Sequence, residues 1–419
     1  MPGRRLNVTD GYALINAMSK EMFGANGTIQ AIDASSFASV GETILNSGIE
    51  NVINTLSLIV SRDLIAIRPY EAKFRLINAL DSGAYANRIR KISYYAKDAT
   101  PTGASNTQSY TNFAMGYDNG TNSGASTESQ YYQSAPVPLE LNFGGGVEWQ
   151  YPYTIYENAL KIAFRTPEQW AEFLNGFLIA CANDMESEKE AFSRMVVLNA
   201  IAGAVSLTAS MPGTVVNLTA GFNTKYGTSY TTAQLLTTYF SQFLAYFVSV
   251  VKTISDKMEN RSILYHWSPA KTVGGVSYVL PRQTKKADQK MFMISEFWND
   301  AESLVLPAIF NDRYLKLDNF EKVDYWQNIN DPFAIKFKPA IPDTSDPTAQ
   351  TAPANAVSIA KCIGCIFDRD GLMVDFQLED QASSPLEARK KYRTIWNTFR
   401  KNPINDFTEN MVVFIMADS

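Results

Sequence analysis

Two cysteines separated by two residues could carry redox or metal chemistry. Cys362-Ile363-Gly364-Cys365 has the CxxC spacing of a reactive dithiol or of half a zinc site. A reactive dithiol needs an electropositive helix start, and zinc needs two further ligands. This motif instead lies in an apolar run typical of a β-strand, where positions i and i+3 face opposite ways. We therefore predict two structural cysteines.

His266 is the only histidine of the chain, so multi-histidine zinc and iron sites within one chain are excluded. It lies in the segment Tyr265-His266-Trp267-Ser268-Pro269. A histidine base would need a nucleophile and an orienting acid, and the chain contains no GxSxG elbow. We predict a packed or capping histidine.

Three short motifs could hold a cation or a phosphate. Asp368-Arg369-Asp370-Gly371 resembles the start of a calcium loop, but the third acidic position and the distant glutamate are missing. We interpret it as a hairpin turn. Gly144-Gly145-Gly146 and Gly274-Gly275 lack the spacing of a phosphate loop, so they are predicted to be turn or bulge glycines.

Charged residues occur in short groups. One acidic group on a predicted helix is interpreted as a solvated or subunit-facing stripe. It comprises Asp184, Glu186, Glu188 and Glu190. Three basic groups are too short to predict specific nucleic-acid binding, and salt bridges to other subunits are an equally good use. They are Arg88-Ile89-Arg90-Lys91, Lys285-Lys286 and Arg389-Lys390-Lys391. A carboxylate hydrolase remains an alternative, because its acid pair would be spatial.

Composition limits the class of protein further. A chain of 419 residues corresponds to two or three domains or subdomains. Aromatic residues make up 12%, which indicates a folded chain, while only 19% are charged, which suggests a surface that is polar-neutral or covered by partners. The net charge of -5 does not favour a nucleic-acid binder. Three cysteines do not make a disulfide scaffold, and residues 1–24 contain no apolar run of signal-peptide length.

The strongest helix signal covers residues 166–204. Thr166-Pro167-Glu168-Gln169 combines an N-cap threonine with proline at the first helical position. Apolar side chains then recur at spacings of three and four. They are Trp170, Phe173, Leu174, Phe177, Leu178, Cys181 and Met185. Such a helix would be about 50 Å long at 1.5 Å per residue, so we predict a spine for one domain.

Residues 99–135 are dominated by Ser, Thr, Asn, Gln, Gly and Ala, with only Asp118 and Glu128 charged. A loop of this length is uncommon inside a compact domain. Residues 85–97 and 137–143 on either side have the alternation of strands. We predict a long projecting hairpin whose polar tip is mobile or is ordered by another molecule.

The N-terminal region and the second helix are predicted from weaker signals. Residues 24–41 are rich in Ser, Ala and Gly and should be extended. Short amphipathic pieces flank them, one containing Leu14, Ile15 and Met18 and one within 49–56. Thr231-Thr232-Ala233-Gln234 is a capping box for a helix through Ile254. Its polar stripe argues against a membrane span.

Strands are predicted in several other places. Residues 64–67 form a short apolar run that ends before a proline. Residues 360–367 and 372–376 are predicted to pair as a hairpin. Two further strands are predicted, Lys391 to Phe399 and Met411 to Met416.

Three stretches and their order along the chain resemble one known family. Residues 40–45 leading to 64–68 are similar to an arm that enters a first strand. Tyr156-Glu157-Asn158-Ala159-Leu160-Lys161-Ile162-Ala163-Phe164, followed by the Trp170 helix, is similar to an extended loop that returns into a spine. Residues 366–371, 392–399 and 405–414 resemble closing strands. This order resembles that of the major capsid proteins of tailed double-stranded-DNA phages. The general character of the sequence is also similar to that of coat proteins of small short-tailed phages.

The resemblance implies an α+β, Hong Kong 97-type fold. Its expected parts are an N-terminal arm (1–60), a first peripheral strand with the extended loop (61–155), and a peripheral domain with the spine helix (156–205). An axial domain (206–385) and closing strands (386–419) follow.

The implied function is self-assembly into an icosahedral shell around the phage genome. Pentamers and hexamers of the chain would be built in the host cytoplasm, with portal and scaffolding proteins as partners. Packaged DNA would be contacted only non-specifically, and no membrane is expected. The protein would not be an enzyme, and we expect no catalytic, cofactor-binding or metal-binding residues. The arm and residues 85–150 should lie across neighbouring subunits.

The sequence departs from some relatives. A long charged N-terminal segment is missing and the chain starts at Met1, so we expect an uncleaved chain with a separate scaffolding protein. Lys91 and Lys97 lie in the expected extended loop, but the sequence identifies no partner, so crosslinking is not predicted. The alternatives are a nanocompartment shell of the same fold, a tail or baseplate component, and the hydrolase with the hairpin as its lid.

Overall fold

The computed structural model describes most of the chain beyond residue 167 and parts of the region before it. The described residues are 13, 15–17, 19–20, 31, 34–46, 73–74, 76–80, 88–96, 136–144, 147–156, 167–269, 271–273, 276–304, 319–343, 349–353, 355–385, 387 and 389–418. The chain forms two compact units. Unit 1 comprises 1–73, 146–191 and 376–401, and unit 2 comprises 74–145, 192–375 and 402–419.

The described residues contain both helices and strands. The helices are α1 (Ala34–Asn46), α2 (Pro167–Ser206), α3 (Leu218–Tyr226), α4 (Thr232–Leu236), α5 (Phe240–Met258) and α6 (Ser295–Leu304). The strands are β1 (Asn78–Leu80), β2 (Arg88–Tyr94), β3 (Pro138–Gly144), β4 (Val147–Tyr156), β5 (Val215–Asn217), β6 (Lys271–Val273), β7 (Val276–Tyr278), β8 (Gln289–Ile294), β9 (Phe320–Val323), β10 (Ile335–Phe337), β11 (Ile341–Pro342), β12 (Gln350–Thr351), β13 (Val357–Ile359), β14 (Cys362–Asp368), β15 (Leu372–Ser383), β16 (Tyr392–Asn405) and β17 (Met411–Ile415).

The predicted spine helix is confirmed as α2, which has 40 residues and begins at Pro167. At 1.5 Å per residue it is about 60 Å long. In its C-terminal part, Val196, Val197 and Ile201 are fully buried. Gly203 lies against the ring of Phe407, where a Cβ atom would be 2.5 Å from Cε1. Glycine therefore allows the helix backbone and this ring to approach closely.

The second predicted helix begins where the sequence indicates, but it is interrupted. Thr231 and Gln234 form the predicted capping box of α4. The helix then ends at Leu236, and α5 starts at Phe240. Tyr239, in the interruption, stacks on Tyr230 with ring centroids 4.0 Å apart. This stacking and the hydrogen bond from Tyr239 N to Gln234 O accompany the break.

The apolar face of α5 packs into the main core of unit 2, which explains the spacing of its large side chains. Phe243, Phe247 and Met258 are almost completely buried there. No helix in the described part of the chain is long and apolar enough to cross a membrane.

Unit 2 contains a five-stranded sheet in the order β5-β17-β14-β8-β9. Its central strand, β14, is buried along its whole length. Gly364 in β14 lies over the backbone of β8, where a Cβ would be 2.5 Å from the carbonyl oxygen of Phe292. The ladder with β17 shifts register between Cys362 and Gly364.

The predicted hairpin of residues 360–376 is wrong in its pairing. Its turn exists, because Gly371 N donates to Asp368 O at 2.9 Å. However, β17 and β8 occupy both edges of β14 and leave none for β15. Residues 373–375 of β15 pair instead with β1, in parallel.

In unit 1, β4 pairs with residues 392–401 of β16 over ten antiparallel positions. The predicted strand at 391–399 is thus confirmed, although it begins one residue later and continues to Asn405. Lys391 has a φ of 53° and lies in the preceding turn, so it cannot start the strand. The closing strand is confirmed as β17.

The expected extended conformation of residues 24–41 is wrong for the part described. Residues 34–41 belong to α1, and Phe37, Val40 and Ile44 are buried on one face of this helix. Ile15, from the first amphipathic piece, is helical and buried, as predicted. The amphipathic piece at 49–56 and the strand at 64–67 lie outside the described residues.

The stem of the projecting hairpin is confirmed. β2 and β3 form a two-stranded antiparallel sheet, here called the ribbon, from the pair Arg88–Gly144 to the pair Tyr94–Pro138. Its predicted tip, residues 99–135, lies outside the described residues.

Candidate assembly surface

The CxxC cysteines are free thiols inside the central strand of unit 2. Cys362 and Cys365 are completely buried. Burial raises the pKa of Cys365 to about 12 and raises the pKa of Cys362 as well. Both thiols are therefore protonated and unreactive at neutral pH, as the prediction of structural cysteines requires. In the part of the chain that the structure describes, no group of three or more His, Cys, Asp or Glu residues could hold a metal ion.

His266 is packed, as predicted. Its Nδ1 lies 3.0 Å from Asn410 Oδ1 and its Nε2 lies 2.5 Å from the carbonyl oxygen of Leu280. The residue is 1% exposed, and this burial lowers the pKa of the imidazole to about 4. Each ring nitrogen lies within hydrogen-bonding distance of a group that cannot act as a nucleophile, so this histidine is not placed as a catalytic base.

The Asp368–Gly371 segment is a turn whose acid faces protein donors. Thr284 Oγ1 donates to Asp368 Oδ2 at 2.6 Å, and the backbone N–H of Asp370 donates to Asp368 Oδ1 at 2.9 Å. Burial raises the pKa of Asp368. Both carboxylate oxygens are thus used within the fold, unlike the open oxygens of a calcium loop.

The acidic group on α2 is only partly the predicted stripe. Asp184 is exposed, but Glu186 is buried and accepts a hydrogen bond from Lys189 at 3.0 Å. Glu190 accepts from the backbone N–H of Lys73 at 3.2 Å. The prediction of a solvated or subunit-facing stripe is therefore wrong for Glu186, Glu188 and Glu190, because groups within the subunit donate hydrogen bonds to all three carboxylates.

Lys401 is a buried cation that the sequence reading missed. Its side chain is 0% exposed and its Nζ donates to Glu188 Oε1 at 2.5 Å. The same Nζ lies 4.4 Å from the ring centroid of Trp149 and 5.5 Å from that of Tyr151. Burial lowers the pKa of Lys401, although Glu188 opposes this effect. The sequence signal for this buried lysine was the alternation of β16, which places position 401 on the same inward face as Phe399.

The basic group in β2 divides between the two faces of the ribbon. Arg90 points outwards and pairs with Glu140 at 2.7 Å, where both side chains are exposed. Lys91 points inwards and contacts the carboxylates of Asp406 and Glu409. Lys286, from another basic group, pairs with Asp256 at 2.6 Å. These cations therefore have partners within the chain.

The outward face of the ribbon carries large apolar side chains. Ile92 is 47% exposed and Tyr94 is 62% exposed. On the opposite face, Leu139 and Leu141 are buried against Leu280 and neighbouring residues. Adjacent exposed apolar side chains on a strand are typical of a surface that another protein covers.

The outer face of the β4–β16 pair is aromatic and mostly uncharged. Tyr156 is 54% exposed and Trp396 is 38% exposed. The Tyr156 and Tyr392 rings are 5.9 Å apart. The cross-strand pairs on this face are Tyr156–Tyr392, Thr154–Thr394, Pro152–Trp396, Gln150–Thr398 and Glu148–Arg400. Like the ribbon, this face is suited to contact with protein.

Comparison with known proteins identifies the class to which this architecture belongs, the coat proteins of phages. A family model described as Phi29-like phage major capsid protein matches residues 97–415, and the chain belongs to this family. No curated protein sequence matches the chain.

Several solved phage structures are similar at low sequence identity. A chain in the capsid of Staphylococcus phage Andhra is 12% identical, with a TM-score of 0.49 over 84% of this chain and 86% of that one. A chain in the capsid of cyanophage P-SCSP1u is 9% identical, with a TM-score of 0.42 over 84% and 90%. A chain in the mature capsid of bacteriophage PhiM1 is 10% identical, with a TM-score of 0.41 over 84% and 88%.

Membership of the family confirms the function predicted from the sequence. The chain is a phage coat protein that forms the shell by association of many copies, and it is a component of the virion. The predicted α+β fold of a phage capsid protein is likewise confirmed, with its spine helix and the stem of its hairpin. The family is a structural one.

Proposed function

We propose that this chain assembles through pentamers and hexamers into an icosahedral shell that encloses double-stranded DNA. The observation that carries the proposal is the match of residues 97–415 to the phage major capsid family. It favours a phage shell over a nanocompartment shell. Closed shells require many weak, repeated contacts, and the exposed aromatic faces of the ribbon and of β4–β16 supply apolar surface for them.

We propose the domain boundaries that the family resemblance implies. We assign residues 1–60 to an arm, 61–155 to the first peripheral strand and extended loop, and 156–205 to the peripheral domain. Residues 206–385 form an axial domain and 386–419 the closing strands. The separation of the chain into two compact units supports two subdomains, although each unit gathers its residues from three separate stretches.

The partners beyond the chain itself are proposed from the same class. A portal and a scaffolding protein would take part in assembly in the host cytoplasm. Contact with packaged DNA would be non-specific, since the net charge of -5 gives little attraction to phosphates. No catalytic role is assigned to any residue.

The test is electron microscopy of the purified full-length protein, alone and with the scaffolding protein of its phage. Closed particles of uniform size are expected for the intact chain. A variant that lacks residues 105–130 should give a folded subunit, shown by an unchanged circular dichroism spectrum, but few particles.

Two matched substitutions at exposed tyrosines test whether the outward face of the ribbon is a contact surface in assembly. Tyr94→Asp places a charge on the outward face of the ribbon and should reduce particle yield. Tyr226→Asp places the same charge at a similarly exposed aromatic residue of α3, which belongs to neither face, and should not. Normal shells from the deletion variant would contradict the proposed role of the hairpin, and absence of particles from the intact chain would contradict the proposed assembly.

A further inference from the structure

The ribbon needs support from the rest of unit 2 to keep a fixed direction. A two-stranded sheet is marginally stable by itself in water. Its inner face contributes a small apolar cluster in which Leu139, Leu141 and Tyr95 pack with Tyr278 and Leu280. This cluster supports one part of the ribbon, and the charged residue Lys91 lies on the same inner face.

Lys91 contacts a loop that is far away in the sequence. The loop comprises residues 406–410, between β16 and β17, and is here called the 406–410 loop. Lys91 Nζ contacts the carboxylates of both Asp406 and Glu409. The Asp406 side chain is 1% exposed and that of Glu409 is 12% exposed. Two carboxylates thus face one ammonium group in a place with little water.

Arg282 forms a second link between the same loop and the ribbon. Its Nη2 donates to Ser93 Oγ at 2.6 Å, on the ribbon. Its Nε donates to the carbonyl oxygen of Thr408 at 3.0 Å and lies 3.3 Å from Glu409 Oε1. The cluster therefore contains two cations and two carboxylates, and each cation touches the 406–410 loop.

The 406–410 loop is itself held firmly. The N–H and Oγ1–H groups of Thr408 donate to Asp406 Oδ1 at 2.9 and 2.6 Å. The backbone N–H of Asp406 donates to Gly371 O, and that of Trp267 donates to Phe407 O. The Phe407 ring packs against Gly203 of α2. With two hydrogen bonds inside the loop and two to Gly371 and Trp267, the loop provides a rigid base for the ribbon.

The geometry points to a clamp: Lys91 and Arg282 hold the stem of the ribbon on the 406–410 loop and so preset its direction before subunits meet. The clamp is a positioning device for assembly and does not itself contact a neighbour. It rests on the proposed assembly for its purpose, but its existence can be tested on the unassembled subunit. A preset ribbon loses less conformational freedom when it docks, which favours association.

Hydrogen exchange of the full-length chain, kept unassembled at low concentration, tests the clamp directly. Lys91→Met keeps the aliphatic stem and removes the charge. Exchange of the ribbon amides, residues 89–94 and 139–143, should become faster by about tenfold or more, while α5 and β17 stay as in the wild type. Arg90→Met, the exposed neighbour on the other face, is the matched control and should change exchange less than about threefold.

Ser93→Ala keeps the test decisive if the Lys91 variant fails to fold. It removes only the ribbon's hydrogen bond to Arg282 and should accelerate ribbon exchange by about threefold. Unchanged ribbon exchange in Ser93→Ala, or in a folded Lys91→Met, would overturn the clamp. An equal acceleration in the ribbon and in α5 would overturn it too, because the cluster would then stabilise the whole unit. Particle yield, measured separately, reports on the proposed assembly.

Discussion

Lys91 in unit 2 and Lys401 in unit 1 are both removed from water, yet their surroundings have opposite effects on the ammonium group. Burial lowers the pKa of each. For Lys91, the carboxylates of Asp406 and Glu409 more than offset this effect, and its pKa is raised. For Lys401, Glu188 and the faces of two aromatic rings do not, and its pKa is lowered. The number of counter-charges therefore decides whether a buried lysine favours its charged form.

The difference has a consequence for stability. A cation with two buried acids is part of a network that is costly to break, because each acid left behind is a buried charge without a partner. A cation with one partly exposed acid and aromatic contacts can be replaced by an apolar side chain at little cost. The Glu188 side chain is 31% exposed, so it can turn towards water.

The largest expected effect is that of Lys91→Met. Since Asp406 is buried, loss of the ammonium group should lower the free energy of opening the ribbon by about 3 kcal/mol. Hydrogen exchange of the ribbon amides measures this change. Arg90→Met breaks only the exposed pair with Glu140 and should cost less than about 1 kcal/mol. Equal losses in the two variants would mean that the Lys91 cluster behaves as a surface pair.

His266 extends the comparison to a buried base that faces no carboxylate within hydrogen-bonding distance. Its pKa is lowered from 6.5 to about 4, so the unfolded chain takes up a proton first as the pH falls. Between pH 6.5 and 5 this residue alone should lower the free energy of unfolding by about 2 kcal/mol. His266→Gln should flatten the pH dependence in that range by the same amount. An unchanged slope would mean that the imidazole is charged in the folded state.

The smallest expected effect is that of Lys401→Met. Because burial dominates at this position, the free energy of unfolding should stay within about 1 kcal/mol of the wild-type value. Urea denaturation followed by tryptophan fluorescence measures it, and Trp149 and Tyr151 keep their contacts with the new side chain. A loss as large as that of Lys91→Met would show that the single Glu188 contact holds Lys401 as firmly as two carboxylates hold Lys91.

Elements with strong local signals were predictable. The spine helix combines a proline at its first position with regular apolar spacing, and these features act over only a few residues. The ribbon stem and the capping box at Thr231 were found for the same reason. The helix α1 was missed because its Ser, Ala and Gly content is a poor local signal, whereas its stability comes from the tertiary burial of Phe37 and Ile44.

Pairings between distant parts of the chain could not be predicted. The turn at Asp368–Gly371 is local and was identified, but the partners of β14 lie in β8 and β17. The contact between Lys91 and the 406–410 loop joins residues more than 300 positions apart. A basic residue in a strand indicates a charge, but only the fold brings two carboxylates to it.

The glycine at position 203 limits how this chain can evolve. The ring of Phe407 occupies the space that any side chain at 203 would need. Substitution at 203 therefore requires a smaller residue at 407, such as Gly203→Ala together with Phe407→Leu, whereas Phe407→Leu alone would leave unfilled space beside Gly203. Because residue 407 belongs to the loop beneath the ribbon, such a paired exchange would also alter the height of that loop on the helix.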